Sequence, residues 1–531
     1  MQKLILILLI VTCGAYSTKA QQRNDAESVL KWFNKCLNDV RNKESIQNYK
    51  ASFFKTDSVR IIGYIENYDA SLGFASGIIY NANDLTREDF PTSVRIMPDG
   101  RFDVKFEIQY PVLTSLLFNN DFYKFYIEPG QTLGMIFKNE NGKLNFLSFK
   151  GVLAHDNDQL SAFEWDNQNQ KFYNTIEKLV KGNTPEQSKA QIMKSWDQTE
   201  SSINHQLVSS GYSSKIKELI QSEVQLNYAS QLLDYAMYHE VFAKQDSTND
   251  NLKIPLPPDF YDFIYRLDLN KKSYLAIENF STFINRFEYS PLFVQDDFNK
   301  QISKNYQDSY AVLDSANRKA NPRLINSTMY EVAKLRTLRG RLTYSIDSIK
   351  IENYQHQINA TLQDPFFKKQ VELLVQKRYA NNKPYELGDT YGSKMFKQIV
   401  DKYKGKVVIV DFWAQSCGPC RASIEAMKTK RLKLKDNPNL QFVFITDSSG
   451  TPDMNFYKSY TAENNMYESH IVSSDDYLAF RELFKFNGIP RYILIDADGK
   501  IRNADFALHN WKYELTKHYP QYFNFQMLNE I

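Results

Sequence analysis

The sequence predicts a multi-domain chain: a small antiparallel β domain, a mainly α-helical region, and a C-terminal α/β domain. Three observations carry this. At 531 residues the chain is too long for one ordinary core. Apolar residues alternate with period two between about 57 and 150 and then recur at helical spacing to about 385. Beyond that, Lys406-Val407-Val408-Ile409-Val410-Asp411-Phe412 is a near-continuous apolar run, as expected of a parallel strand covered by helices on both faces. The expected units are a leader over 1–20, an N-terminal helix within 21–56, a β-sandwich or barrel over 57–150, a helical region over 151–385, and the α/β domain over 386–531.

The leader has the order of a secretory signal. Lys3 supplies the positive start, Leu4 to Val11 is unbroken apolar sequence too short to span a bilayer, and Thr18-Lys19-Ala20 offers a cleavage site before Gln21. Export is therefore expected. Val11-Thr12-Cys13 loosely resembles a lipidation site, but Thr12 fits poorly before the cysteine, so membrane attachment follows only if Cys13 carries lipid. The formal charge of +3 falls to about +1 once Lys3 and Lys19 leave with the leader. No strong field remains to draw in nucleic acid or an anionic membrane.

After the leader, Val29, Phe33, Leu37 and Val40 form one stripe of a helix over 26–42, with Cys36 beside it as a small buried apolar side chain or a third reactive thiol. Within 57–150, Phe102, Val104, Phe106 and Ile108 alternate with Asp103, Lys105, Glu107 and Gln109, a half-buried strand. Further strands are expected at 58–66, 74–81, 122–128, 132–138 and 144–149. Pro98-Asp99-Gly100 and Glu128-Pro129-Gly130-Gln131 are turns, with proline setting φ and glycine accepting a positive φ. Thr184-Pro185-Glu186-Gln187 starts a helix with a capping box. Ile216, Leu219, Ile220, Val224, Tyr228, Leu232 and Tyr235 mark one face of a long helix, Asp364-Pro365 opens another, and the prolines at 255, 257 and 258 break the region. His155, His205, His239 and His356 show no metal-ligand spacing and read as surface or satisfied core residues. The β segment contains no cluster that looks catalytic, and the sequence does not say what the first 385 residues bind.

The chemistry lies at Trp413-Ala414-Gln415-Ser416-Cys417-Gly418-Pro419-Cys420. A Cys-x-x-Cys pair also supplies half of a zinc site, but no second Cys or His pair is spaced to complete one. A redox pair accounts for the surroundings. A buried strand that delivers Cys417 to a helix start puts its sulfur near backbone N–H groups and the positive end of the dipole, which favours the nucleophilic thiolate. Pro419 suits a first helical turn, and Cys420 is near enough to attack a mixed disulfide at Cys417.

Val410-Asp411-Phe412-Trp413-Ala414-x-x-Cys417-Gly418-Pro419-Cys420 resembles the active-site signature of thioredoxins, and Asn487-Gly488-Ile489-Pro490-Arg491 resembles their cis-proline loop. The order of elements is similar too: strand 441–446, helix 475–485, strand 492–496, an Asp498-Gly499 turn, strand 500–506 and a final helix near 511–518. The extra stretch 450–472 resembles the insertion of the extracytoplasmic TlpA and ResA branch. The β-rich and helical N-terminal part resembles the extension of some Gram-negative envelope members.

The resemblance implies a thioredoxin fold and an envelope protein-disulfide reductase, with isomerase and oxidase left open. Cys417 would attack, Cys420 resolve, and Asp411 relay the proton from Cys420; the alternative for Asp411 is a carboxylate hydrogen-bonded to backbone. Trp413, Gly418, Pro419, Ile489 and Pro490 would meet the substrate, with Ile489 preceding a cis peptide. The partners implied are client protein thiols and disulfides and a membrane thiol–disulfide carrier that feeds electrons. No organic cofactor or metal is implied. Three positions depart from the family pattern. Ser416 replaces a tryptophan and opens the site, Ser423 replaces the glutamate of cytochrome-maturation members, and Glu425 replaces a kinking proline, which predicts a straighter helix. The competing function is a binding protein whose 57–385 region is the working part.

Overall fold

The computed structural model describes residues 27–38, 44–49, 53–69, 72–163, 168–293, 314–315, 317–319, 321–344, 348–380 and 383–531. The expected leader, Cys13 and Val40 lie outside the described residues. Residues 27–38 are helical, and Val29, Phe33 and Cys36 are buried, Phe33 and Cys36 against Ile62 and Ile136. Cys36 is a free thiol, which fits the packing reading of this residue.

The period-two segment forms β1 (Asp57–Glu66), β2 (Ser76–Ile79), β3 (Ala82–Asn83), β4 (Glu88–Asp89), β5 (Thr92–Arg95), β6 (Arg101–Ile108), β7 (Val112–Phe118), β8 (Asp121–Ile127), β9 (Thr132–Glu140) and β10 (Lys143–Lys150). These make two four-stranded sheets, ordered β10-β9-β1-β6 and β5-β2-β7-β8, with β3 and β4 as a short ribbon. Phe102 of the first sheet meets Phe118 of the second with ring centroids 5.5 Å apart, so the sheets share an apolar layer. All pairings within the two sheets are antiparallel save one: β1 and β9 run parallel, with Ile62 opposite Gly134. Strands β5 and β7 lie outside the expected set. In β7, buried and half-buried residues succeed each other with no clean polar face, so the alternation is muted. Gly100 and Gly130 take φ of 85° and 82°, as their turns require.

Helices follow. Thr184 and Gln187 form the capping box at the start of Pro185–Ser209, and Ser213 caps the long helix Ser214–Gln245. Helix Pro365–Ala380 begins at the expected proline. One apolar core runs from Tyr49 to Val375 through both sheets and these helices.

The C-terminal part has its own core around a five-stranded sheet, β13-β12-β11-β14-β15. Its strands are β11 (Val407–Phe412), β12 (Leu440–Asp447), β13 (Ser469–Val472), β14 (Arg491–Ile495) and β15 (Ile501–Asn503). All of β11 is buried, parallel to β12 and antiparallel to β14. Val408, Val410 and Phe412 face helices Tyr391–Val400 and Ser474–Phe484. Val407 and Ile409 face the opposite layer with Trp511 and Leu515. That alternation explains why a central strand reads as unbroken apolar sequence.

The expected straight helix is corrected. Helix Gly418–Ala426 ends at Met427 and a second helix, Lys428–Leu434, follows, although no proline stands at the break. Ile424 packs under the cysteines, whereas Met427 and Leu434 pack in the layer of Trp511; the break lets each half reach its own core.

Candidate active site

Strand β11 delivers the chain to Cys417, which is the N-cap of helix Gly418–Ala426. Its Sγ accepts the Cys420 backbone N–H at 3.2 Å. Cys417 and Cys420 are joined as a disulfide with Cα atoms 5.3 Å apart. The two are unequal: Cys417 is half-buried between exposed Ser416 and Gly418, while Cys420 is fully buried. A partner can therefore reach one sulfur and not the other.

The Ile489–Pro490 peptide is cis, and the Ile489 carbonyl oxygen lies 3.8 Å from Cys417 Sγ. Pro490 also lines a cleft of about 600 Å³ whose far wall includes Arg339, Lys377 and Arg378 of the helical region. The loop is held from the β region: Asn487 donates its backbone N–H to Asp89 Oδ2 at 2.9 Å and its side-chain amide to the Asn81 carbonyl at 3.2 Å.

Asp411 and Trp413 point to the face of the sheet that carries Cys420, and Phe444, opposite Asp411 on β12, packs with Trp413 and Cys420. Burial raises the Asp411 carboxyl to about 7, against the pull of the Arg431 guanidinium. Its Oδ1 makes no hydrogen bond, so this oxygen is not tied to backbone. Arg431, missed in the sequence, is itself buried, donates to the Asn464 and Ile424 carbonyls, and lies 5.2 Å from the Phe444 ring centroid. A lone arginine in the run Lys428-Thr429-Lys430-Arg431 looks like any exposed cation.

Trp413 requires a correction. It is fully buried and stacked against Tyr460, with centroids 5.5 Å apart, so it supports the site from beneath and does not face a substrate. Tyr460 belongs to the helix Met454–Glu463 in the inserted stretch, and its hydroxyl donates to Glu425 Oε1 at 3.1 Å. The insertion is thereby fastened to the cysteine-bearing helix. Gly418 and Pro419 are exposed beside Cys417, and Ser416, in place of a bulky ring, leaves that edge open. The histidines stay apart from this site: His155, His205 and His356 are exposed, and His239 is buried against Tyr235 with its Nε2 unpaired.

Residues 405–501 match a family model described as Thioredoxin-like. Among solved structures, the thioredoxin domain of a thiol-disulfide oxidoreductase from Bacteroides vulgatus is 24% identical, covering 22% of this chain and 82% of that one, with a TM-score of 0.20. A putative thiol-disulfide oxidoreductase from the same organism is 27% identical over 23% of this chain and 77% of its own, TM-score 0.20. A thiol:disulfide interchange protein from Chlorobium tepidum TLS is 26% identical over 20% and 71%, TM-score 0.17. A search of curated proteins finds no match. The C-terminal part of the chain is therefore similar to thioredoxin-like domains.

Proposed function

We propose that this protein is an exported thiol–disulfide oxidoreductase that reduces disulfides in proteins of the bacterial envelope. The observation that carries the reading is the asymmetry of the pair: Cys417 half-buried at a helix start beside the cis-proline, Cys420 sealed beneath it.

In the reduced enzyme the Cys417 thiolate, favoured by the Cys420 N–H and the helix terminus, attacks one sulfur of a client disulfide. The client S–S bond breaks, a mixed disulfide forms, and the first client sulfur leaves as a thiolate that takes a proton from water. Cys420 gives its proton to Asp411 and attacks Cys417 Sγ. The second client thiolate is released, and the Cys417–Cys420 disulfide closes. Two electrons have passed to the client, and a reduced membrane thiol–disulfide carrier returns them. The client lies extended along Ile489 and Pro490, whose backbone offers recognition tolerant of sequence, and reaches the adjoining cleft. Support for export is the leader's order of charge, apolar run and small residues; among the described residues no helix is long and apolar enough to cross a membrane.

The test is equilibration of the purified protein in dithiothreitol or glutathione buffers. A potential near about −270 mV supports a reductase, and one ~100 mV higher points to an oxidase or isomerase. Absence of a reversible two-thiol titration would overturn the reading. So would a Cys420→Ser variant that traps no client by mixed disulfide in cells. The reading of the chain as a binding protein is favoured by one observation, an aromatic-walled cavity between the sheets and the helices.

A further inference from the structure

That cavity, of about 630 Å³, lies far along the chain from the cysteines, between strands β7, β8 and β10 on one side and the helices Ala154–Ala162, Pro185–Ser209 and Ser214–Gln245 on the other. Its walls are mostly apolar and aromatic, with Phe125, Phe146, Phe149, Phe163 and Tyr228 among them. A space of this size, with largely apolar walls and several polar groups set among them, is the form small-molecule sites take.

One polar group on the wall lacks a full set of partners. Glu223 Oε1 accepts from Asn279 Nδ2 at 2.8 Å, but Oε2 is shut off from solvent and has no hydrogen-bond partner. A buried acceptor left bare is costly, more so if charged, and a nearby cation offsets that cost. The neighbouring charges favour a cation. Glu278 also lines the cavity, and the only cation on its wall among the described residues, Lys124, is already engaged by Glu278 at 2.5 Å. Two carboxylates against one ammonium leave a negative balance, and the faces of aromatic rings attract cations as well.

We propose that this cavity binds a small apolar amine, its ammonium group held by the negative charge of the Glu223 and Glu278 carboxylates and its hydrocarbon body packed among the phenylalanines. The facing groups set the pH behaviour. Burial raises the Glu223 carboxyl to about 7, Glu278 adds to the rise, and Lys124 and the Asn279 contact oppose it. Binding of an ammonium requires the carboxylate, so affinity grows as pH rises through 7 and fades below it. The site is separate from the cysteines, and its failure would leave the redox reading where it stands.

The experiment is calorimetric titration of the full chain with octylammonium and, as the uncharged match, 1-octanol, at pH 8 and pH 5.5. We expect octylammonium to bind about tenfold more tightly than octanol at pH 8, in line with one charge-assisted hydrogen bond, and the preference to collapse at pH 5.5. Glu223→Gln, which keeps the shape, should equalise the two ligands at pH 8. Ile203→Trp, which fills the space from the helical side, should abolish binding of both while disulfide reduction stays intact. The proposal is overturned if neither compound binds the wild-type protein, if both bind equally at pH 8, or if the amine preference survives Glu223→Gln in a variant with unchanged melting.

Discussion

The backbone N–H of Asn487 donates to Asp89 Oδ2 at 2.9 Å, across 398 positions of sequence. Asn487 stands three residues before Pro490, so the loop that faces the reactive sulfur is fastened by the β region as well as by its own domain. The same contact zone places Ala75 N–H on Asp475 Oδ2 at 3.2 Å and the Arg95 guanidinium over the Tyr391 ring.

Asp89→Ala should therefore loosen client docking and spare the cysteines. We expect kcat/KM for reduction of a protein disulfide such as insulin to fall about fivefold, the equivalent of roughly 1 kcal/mol. Reduction of a small aromatic disulfide and the potential of the pair should stay as they are, because the donor to Cys417 Sγ is untouched. Equal losses on both substrates would show that the contact shapes the sulfurs and not the loop.

Asp411 gives a pH-dependent prediction. Its carboxyl sits at about 7 in the folded protein because it is buried, against about 4 when unfolded. The folded state thus holds this proton more tightly. The contribution of Asp411 to stability is most favourable below pH 4 and declines as pH rises towards 7. Asp411→Asn should leave the oxidised protein no less stable at pH 4 and more stable at pH 8, by something on the order of 3 kcal/mol, read from hydrogen exchange of the β11 amides. The same variant should slow release of the mixed disulfide and flatten the rise of that rate through pH 7. A variant less stable at pH 8 would mean the carboxylate has a partner that offsets its burial.

The geometry of the cysteine pair and its loop was legible because it is local. A buried strand, Cys417, Pro419 and Cys420 must follow one another within a few residues, and Ile489-Pro490 announces its own backbone. Long-range pairing was not legible. The parallel β1–β9 ladder, the Asp89–Asn487 bond and the placing of Met427 in a different core from Ile424 depend on partners tens to hundreds of residues away. Trp413 was misplaced for a related reason: an aromatic next to a reactive cysteine reads as a contact surface, and only the inserted Tyr457 and Tyr460 rings cover it.

Pro419 is exposed in the first turn beside Cys417, so a substitution there should act through charge and not through packing. Pro419→His brings an imidazole near the sulfur, and its protonated form favours the thiolate. Stabilising the reduced thiolate makes the pair a stronger oxidant, so the potential should rise by tens of millivolts, each ~30 mV being a tenfold change in the equilibrium. The rise should be larger at pH 6 than at pH 8, since the imidazolium is lost with rising pH. A shift that is the same at both pH values would assign the effect to backbone geometry instead.

Lys215 provides the test of what holds the N-terminal part together. It is buried, and its Nζ donates to Glu128 Oε1 at 2.8 Å, Asp156 Oδ2 at 2.5 Å and Ser45 Oγ at 2.5 Å. Glu128 also accepts the Ile46 N–H at 2.8 Å, so one ammonium joins the segment after the first helix, the end of the β8 strand, and two helices. Lys215→Met leaves two carboxylates buried without their cation, which should destabilise by about 3–5 kcal/mol. Adding Glu128→Gln and Asp156→Asn removes the stranded charges and should recover more than half of that loss. The thioredoxin-like domain has a separate core, so the potential of Cys417–Cys420 should be unchanged in both variants. Denaturant unfolding reads the first effect and redox titration the second. If Lys215→Met shifted the potential as well, the two parts of the molecule would be coupled through more than the contact zone around Asp89 and Asp475.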